Sequence, residues 1–126
     1  MKKYAPALVA DVVLILVFAA LGRSSHEEVL DLVGLARTAW PFLGGLTVGW
    51  FLVAWLYRDK FDAFAAAPTG LLVWVSTLVG GMLLRAATGQ GTATAFILVA
   101  TGFLGVTLIG WRLLARVVRR SDSRVA

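Results

Sequence analysis

The stretch YAPALVADVVLILVFAALG, residues 4–22, decides the fold. Crossing the hydrocarbon core of a bilayer takes about 20 mostly apolar helical residues, and this run meets that length with Asp11 as its one charge. Lys2 and Lys3 ahead of it suggest a secretory signal. The run nevertheless contains an acid and continues into Leu21-Gly22-Arg23 without a small-residue cleavage pattern, so it reads as a retained span. Residues 38–57, 69–88 and 92–111 form three further runs of the same kind. Joined by short connections, they predict an all-α membrane protein: four transmembrane helices in an up-down bundle, one domain over residues 1–126, with 112–126 as a tail.

Composition agrees. Hydrophobic residues fill 60% of the 126 positions and charged residues only 15%, where a soluble domain is about a quarter charged. Mean hydropathy is +0.85. The formal net charge of +5 comes from arginines gathered at the ends of apolar segments, with no basic groove interleaved with aromatics. That placement sets topology rather than binding nucleic acid. The absence of cysteine excludes disulfides, thiolate metal sites and cysteine nucleophiles, and His26 alone cannot make a metal site. No nucleotide loop, serine triad or paired catalytic carboxylates occur, so neither catalysis nor a cofactor is expected.

Lys and Arg in the connections set orientation. With the N-terminus inside, Lys2, Lys3, Arg58, Lys60, Arg112, Arg116, Arg119, Arg120 and Arg124 are cytoplasmic, nine of the twelve; Arg23, Arg37 and Arg85 lie outside. Both termini are therefore expected in the cytoplasm. Abundant Ala, Val, Gly and Arg point to a GC-rich bacterial source and so to the bacterial plasma membrane. In the first outer connection, Ser25 with Glu28 matches a capping box, and Val29, Leu32, Val33 and Ala36 recur at helical spacing. These features predict a short interfacial helix over about 25–36, with Thr38 capping the second span and Pro41 in its first turn.

Three groups of polar residues bear on function. Asp11 is the one acid within a span, and Arg112 stands at similar depth on the antiparallel fourth span. The two either pair, locking span one to span four, or leave Asp11 as a proton- or cation-coupled site. Arg23, His26, Arg37 and Arg85 fall near the outer face, where they form either a solvated rim softened by Glu27, Glu28 and Asp31 or a site for an anion or lipid headgroup. Thr47, Trp50, Trp74, Ser76, Thr77 and Thr101 lie nearer mid-membrane, either bonded between helices or around a small pocket. Gly45 and Gly49, Ser76 and Gly80, and Thr101 and Gly105 stand four apart and mark close-packing faces, within one subunit or between copies.

Gly22-Arg23-Ser24-Ser25-His26, Thr38-Ala39-Trp40-Pro41-Phe42, Gly49-Trp50, Gly80 with Arg85, and Gly110-Trp111-Arg112 follow one another in an order that resembles a bacterial and archaeal membrane family, domain of unknown function 3054. The resemblance implies that Asp11, Arg23, His26, Trp40, Pro41, Arg85 and Arg112 match the family pattern, and it implies no activity. In size and span count the chain is also similar to small multidrug exporters, which carry one carboxylate in span one as here, although their surrounding motif is absent.

The resulting expectation is a plasma-membrane protein that binds or moves a small ion or solute, as a homo-oligomer because four short helices enclose little room. The alternative is a non-transporting accessory or scaffold subunit of a larger membrane complex. Membrane lipid is a partner in either case.

Overall fold

The computed structural model describes residues 4–25 and 31–125. Among them are four α-helices, α1 (Ala5–Ser25), α2 (Leu32–Tyr57), α3 (Leu71–Ala87) and α4 (Thr94–Val125), and no strand; the helical stretches long and apolar enough to cross a membrane are Ala5–Arg23, Leu32–Lys60, Ala66–Ala87 and Thr94–Arg119. Asp11 on α1 meets Trp50 and Arg112, while Phe18 meets Phe42 and Phe103. Residue numbers thus rise along α1 as they fall along α2 and α4, so neighbours run antiparallel. The bundle has an Asp11 end, where residues 58–70 connect α2 to α3, and an Arg37 end, where α3 turns into α4.

Both faces of α1 are apolar. Val9, Val13, Val17 and Leu21 run exposed along α1, while Ile15, Phe18 and Ala19 on the same helix are buried against Phe42, Leu46, Leu104 and Leu108. In lipid, hiding apolar surface between helices gains little, so close packing decides which face turns inward. Gly45 and Gly49 of α2 lie directly on α3. A methyl group on Gly45 would stand 2.7 Å from the Ser76 carbonyl oxygen, and one on Gly80 would stand 2.8 Å from the Gly45 Cα. Ser76 Oγ then donates to the Gly45 carbonyl at 2.7 Å. These small residues join α2 to α3 within one chain.

α2 begins earlier than its hydropathy suggests. Its N-cap is Asp31, whose Oδ1 accepts from the Gly34 amide at 2.7 Å. Thr38 is therefore inside the helix rather than at its cap. Of the expected interfacial helix, Ser25 closes α1 and residues 32–36 open α2, while 26–30, His26 among them, lie outside the described residues. Pro41 sits in the helix interior. Having no N–H, it leaves the Arg37 carbonyl without its helical donor, and Gln90 Nε2 takes that place at 3.3 Å.

Gln90 is positioned by the end of α3. Gly89 adopts φ +77°, its amide donates to the Ala86 carbonyl at 3.3 Å, and the Gln90 amide donates to the Arg85 carbonyl at 2.7 Å. This paired closure is the one a left-handed glycine permits. At 32 residues, α4 is about 48 Å long at 1.5 Å per residue, longer than the hydrocarbon core of about 30 Å requires. It continues well beyond Trp111.

Candidate functional site

Two polar centres stand at opposite ends of the bundle. At the first, Arg112 grips Asp11 with both arms: Nη1 donates to Oδ1 at 2.9 Å and Nη2 to Oδ2 at 2.8 Å, and neither side chain is exposed. Two indoles complete the carboxylate. Trp111 Nε1 donates to Oδ1 and Trp50 Nε1 to Oδ2, each at 2.9 Å. A carboxylate offers about four acceptor sites, and here four donors occupy them. Arg112 also donates from Nε to the Ala63 carbonyl at 2.9 Å and from Nη1 to the Leu108 carbonyl at 3.0 Å.

The Ala63 contact brings the 58–70 connection against the ion pair. Phe61 packs on Tyr4 and Trp50, Phe64 lies edge-on to Trp111, and the Arg119 guanidinium covers the Phe64 ring at 4.3 Å. Thr69 donates to the Asp62 carbonyl at 2.6 Å, tying the two sides of the connection together. With every carboxylate lone pair taken and an aromatic cover above, this centre joins α1, α2, α4 and the connection into one unit. The charge pattern points to Asp11 and Arg112; it does not point to the Ala63 carbonyl, because any residue type supplies a backbone oxygen. The indole donors carry a weak signal in Trp50, a tryptophan placed away from the membrane interface.

At the Arg37 end lies a cavity of about 750 Å³. Arg23 of α1, Arg37 of α2 and Arg85 of α3 all line it, with Asp31 the one acid among the described lining residues. Arg23 Nη1 donates to Thr38 Oγ1 at 3.1 Å. The same guanidinium lies on Gly34, where any side chain would collide with it. Arg85 donates from Nε to the Gly91 carbonyl at 2.9 Å and from Nη1 to Gln90 Oε1 at 3.1 Å, with its guanidinium 4.4 Å from the centre of the Phe96 ring. Arg37 differs: its side chain is exposed and makes no hydrogen bond or ion pair with another residue among those described. Phe18 and Ala19 border the cavity but are almost fully buried in the core, and Phe96, partly exposed, lies under the Arg85 guanidinium.

The mid-membrane polar residues go to separate helix contacts. Trp50 bonds Asp11, Trp74 Nε1 donates to the Thr101 carbonyl at 3.1 Å, and Ser76 bonds Gly45. Thr47 and Thr101 donate to carbonyls one turn back, Leu43 and Ile97. Among the described residues, Thr77 Oγ1 is a buried side-chain oxygen with no hydrogen-bond partner.

The family model described as "Protein of unknown function (DUF3054)" matches residues 8–115 of the chain, a range that contains both polar centres. No curated protein and no solved structure matches it.

Proposed function

The chain belongs to the DUF3054 family of proteins of unknown function, and we propose from its geometry that it is a membrane protein whose cavity at the Arg37 end binds a small anionic solute or an acidic headgroup. In this reading both termini are cytoplasmic and the cavity opens toward the outer side. The observation that carries it is Arg37, an exposed arginine on the cavity wall whose side chain has no partner among the described residues. A guanidinium is planar, permanently charged and matched to carboxylate or phosphate oxygens. Arg37 therefore supports an anion at the cavity wall.

Asp11 has no part in ligand coupling on this reading. A proton or cation arriving there would have to displace an indole or the guanidinium, so its role is to hold the helices together. That same closure favours the second reading, a non-transporting accessory subunit, because it removes the acid that would drive a transport cycle. Assembly into a homo-oligomer fits both readings.

Inorganic phosphate titrated into the purified chain in phosphatidylcholine nanodiscs tests the proposal by calorimetry. Saturable binding that Arg37→Gln weakens at least tenfold supports it. Absence of saturable binding, or equal binding by both proteins, refutes it.

A further inference from the structure

We infer that a second cavity, at the Asp11 end and bounded by Tyr4, residues 61–64 and Arg119, binds a phospholipid head group of the phosphoethanolamine type, which carries a phosphate and a primary ammonium. The inference is independent of the anion reading at the Arg37 end. This cavity measures about 200 Å³, below the roughly 300–1,000 Å³ of sites for drug-sized ligands, so it has room for a small polar group. Two of its residues, Asp62 and Arg119, are exposed and oppositely charged. They form no ion pair with each other or with any other described residue.

Both charges are held where they stand. Asp62 Oδ1 accepts from the Phe64 amide at 3.0 Å and the Asp62 carbonyl accepts from Thr69 Oγ1 at 2.6 Å, which fixes the turn. The Arg119 guanidinium lies 4.3 Å from the centre of the Phe64 ring. That ring neutralises no charge, so the guanidinium still lacks an anion. The place of the cavity selects the ligand. Tyr4 immediately precedes the apolar stretch Ala5–Arg23, residues 61–64 fall between the end of Leu32–Lys60 and the start of Ala66–Ala87, and Arg119 closes Thr94–Arg119. Every lining residue thus stands at the edge of an apolar stretch, the level where hydrocarbon gives way to head groups. A guanidinium matches the phosphate oxygens concentrated there. Asp62 discriminates among the heads: its carboxylate accepts from a primary ammonium, finds no N–H on a trimethylammonium, and repels a head that is only acidic.

The test places the protein in nanodiscs holding equal amounts of phosphatidylethanolamine, phosphatidylcholine and phosphatidylglycerol. Mass spectrometry of the released protein then counts the lipids that stay bound. The ethanolamine lipid is expected about fivefold over either competitor, the upper end of what an exposed ion pair supplies. Asp62→Asn keeps the acceptor for the Phe64 amide and loses the charge, so it should remove the preference and leave the melting temperature unchanged. Arg119→Gln should abolish retention. Arg116→Gln alters a neighbouring exposed arginine outside the cavity and should leave the preference in place. Saturable binding of soluble O-phosphoethanolamine, lost in Asp62→Asn and unaccompanied by any lipid preference, assigns the site to a soluble molecule with the same two groups. Preferred retention of phosphatidylglycerol, equal retention of the three lipids with no binding of the soluble probe, or a preference that survives both Asp62→Asn and Arg119→Gln overturns the inference. A loss matched by Arg116→Gln overturns it too, since general positive charge would then account for the retention.

Discussion

Gln90 Nε2 donates to the Arg37 carbonyl across 3.3 Å, and that carbonyl is available because Pro41, four residues on, has no N–H to give it. A proline in the middle of a membrane helix thereby fastens the α3–α4 turn to α2, beside the side chain that carries the proposed function. The bond also connects Pro41 to Arg85, since Gln90 Oε1 accepts from that guanidinium. Freed backbone groups in membrane helices are commonly re-satisfied by neighbouring helices in this way.

Gln90→Ala should therefore lower stability by about 1 kcal/mol, the usual net worth of a hydrogen bond. In a Pro41→Ala background the Arg37 carbonyl regains its helical donor, and the loss of Gln90 should have a smaller effect. A double-mutant cycle on thermal unfolding in micelles measures the coupling. Additive effects would show that the proline and the glutamine act independently.

The Asp11–Arg112 pair gives a larger effect. Asp11→Asn and Arg112→Gln each leave a charged or multiply bonded group stranded in a dry site, and each should destabilise by about 3–5 kcal/mol, with the double variant recovering part of the loss. Unfolding by denaturant in mixed micelles checks this. Equal stability of the wild type and all three variants would refute the locking role.

Close packing of α2 on α3 predicts a contrast between glycines. Gly45→Leu must push α2 from the α3 backbone, whereas Gly102→Leu meets nothing within 4 Å at its Cβ. The first should cost about 1–3 kcal/mol, the range for overpacking, and the second should leave the melting temperature within a degree or two. Matching thermal shifts for the two variants would contradict the packing described.

Orientation is open to single-cysteine labelling, because the chain has no cysteine of its own. On the charge argument, Gly91→Cys should react with an impermeant maleimide in intact cells, and Lys60→Cys only after lysis. The opposite pattern would place the cavity in the cytoplasm.

Much of this architecture is legible in the sequence because lipid makes severe demands on length. Runs of about 20 apolar residues are conspicuous, and so are Asp11 and Arg112, as charges inside or bordering such runs. The start of α2 is harder to read. Asp31, Arg37 and Thr38 interrupt the apolar run, so hydropathy begins at residue 38, while the backbone is already helical from Leu32 under the Asp31 cap. Helix facing is harder still, since Val13 and Ile15 differ in burial but hardly in hydropathy. The Arg37 carbonyl bond is legible only in part: Pro41 announces a vacant acceptor, but nothing near it in the chain names Gln90 as the donor.

The most direct test of the central claim is to locate a bound anion in the protein itself. Crystals grown from a lipidic phase and soaked in selenate, a phosphate-like oxyanion with a strong anomalous signal, would reveal the site. An anomalous peak is expected in the cavity at the Arg37 end, within hydrogen-bonding reach of the Arg37 guanidinium and absent in Arg37→Gln. A cavity without a peak, with selenate bound instead beside Arg116 and Arg119 at the far end of α4, would contradict it.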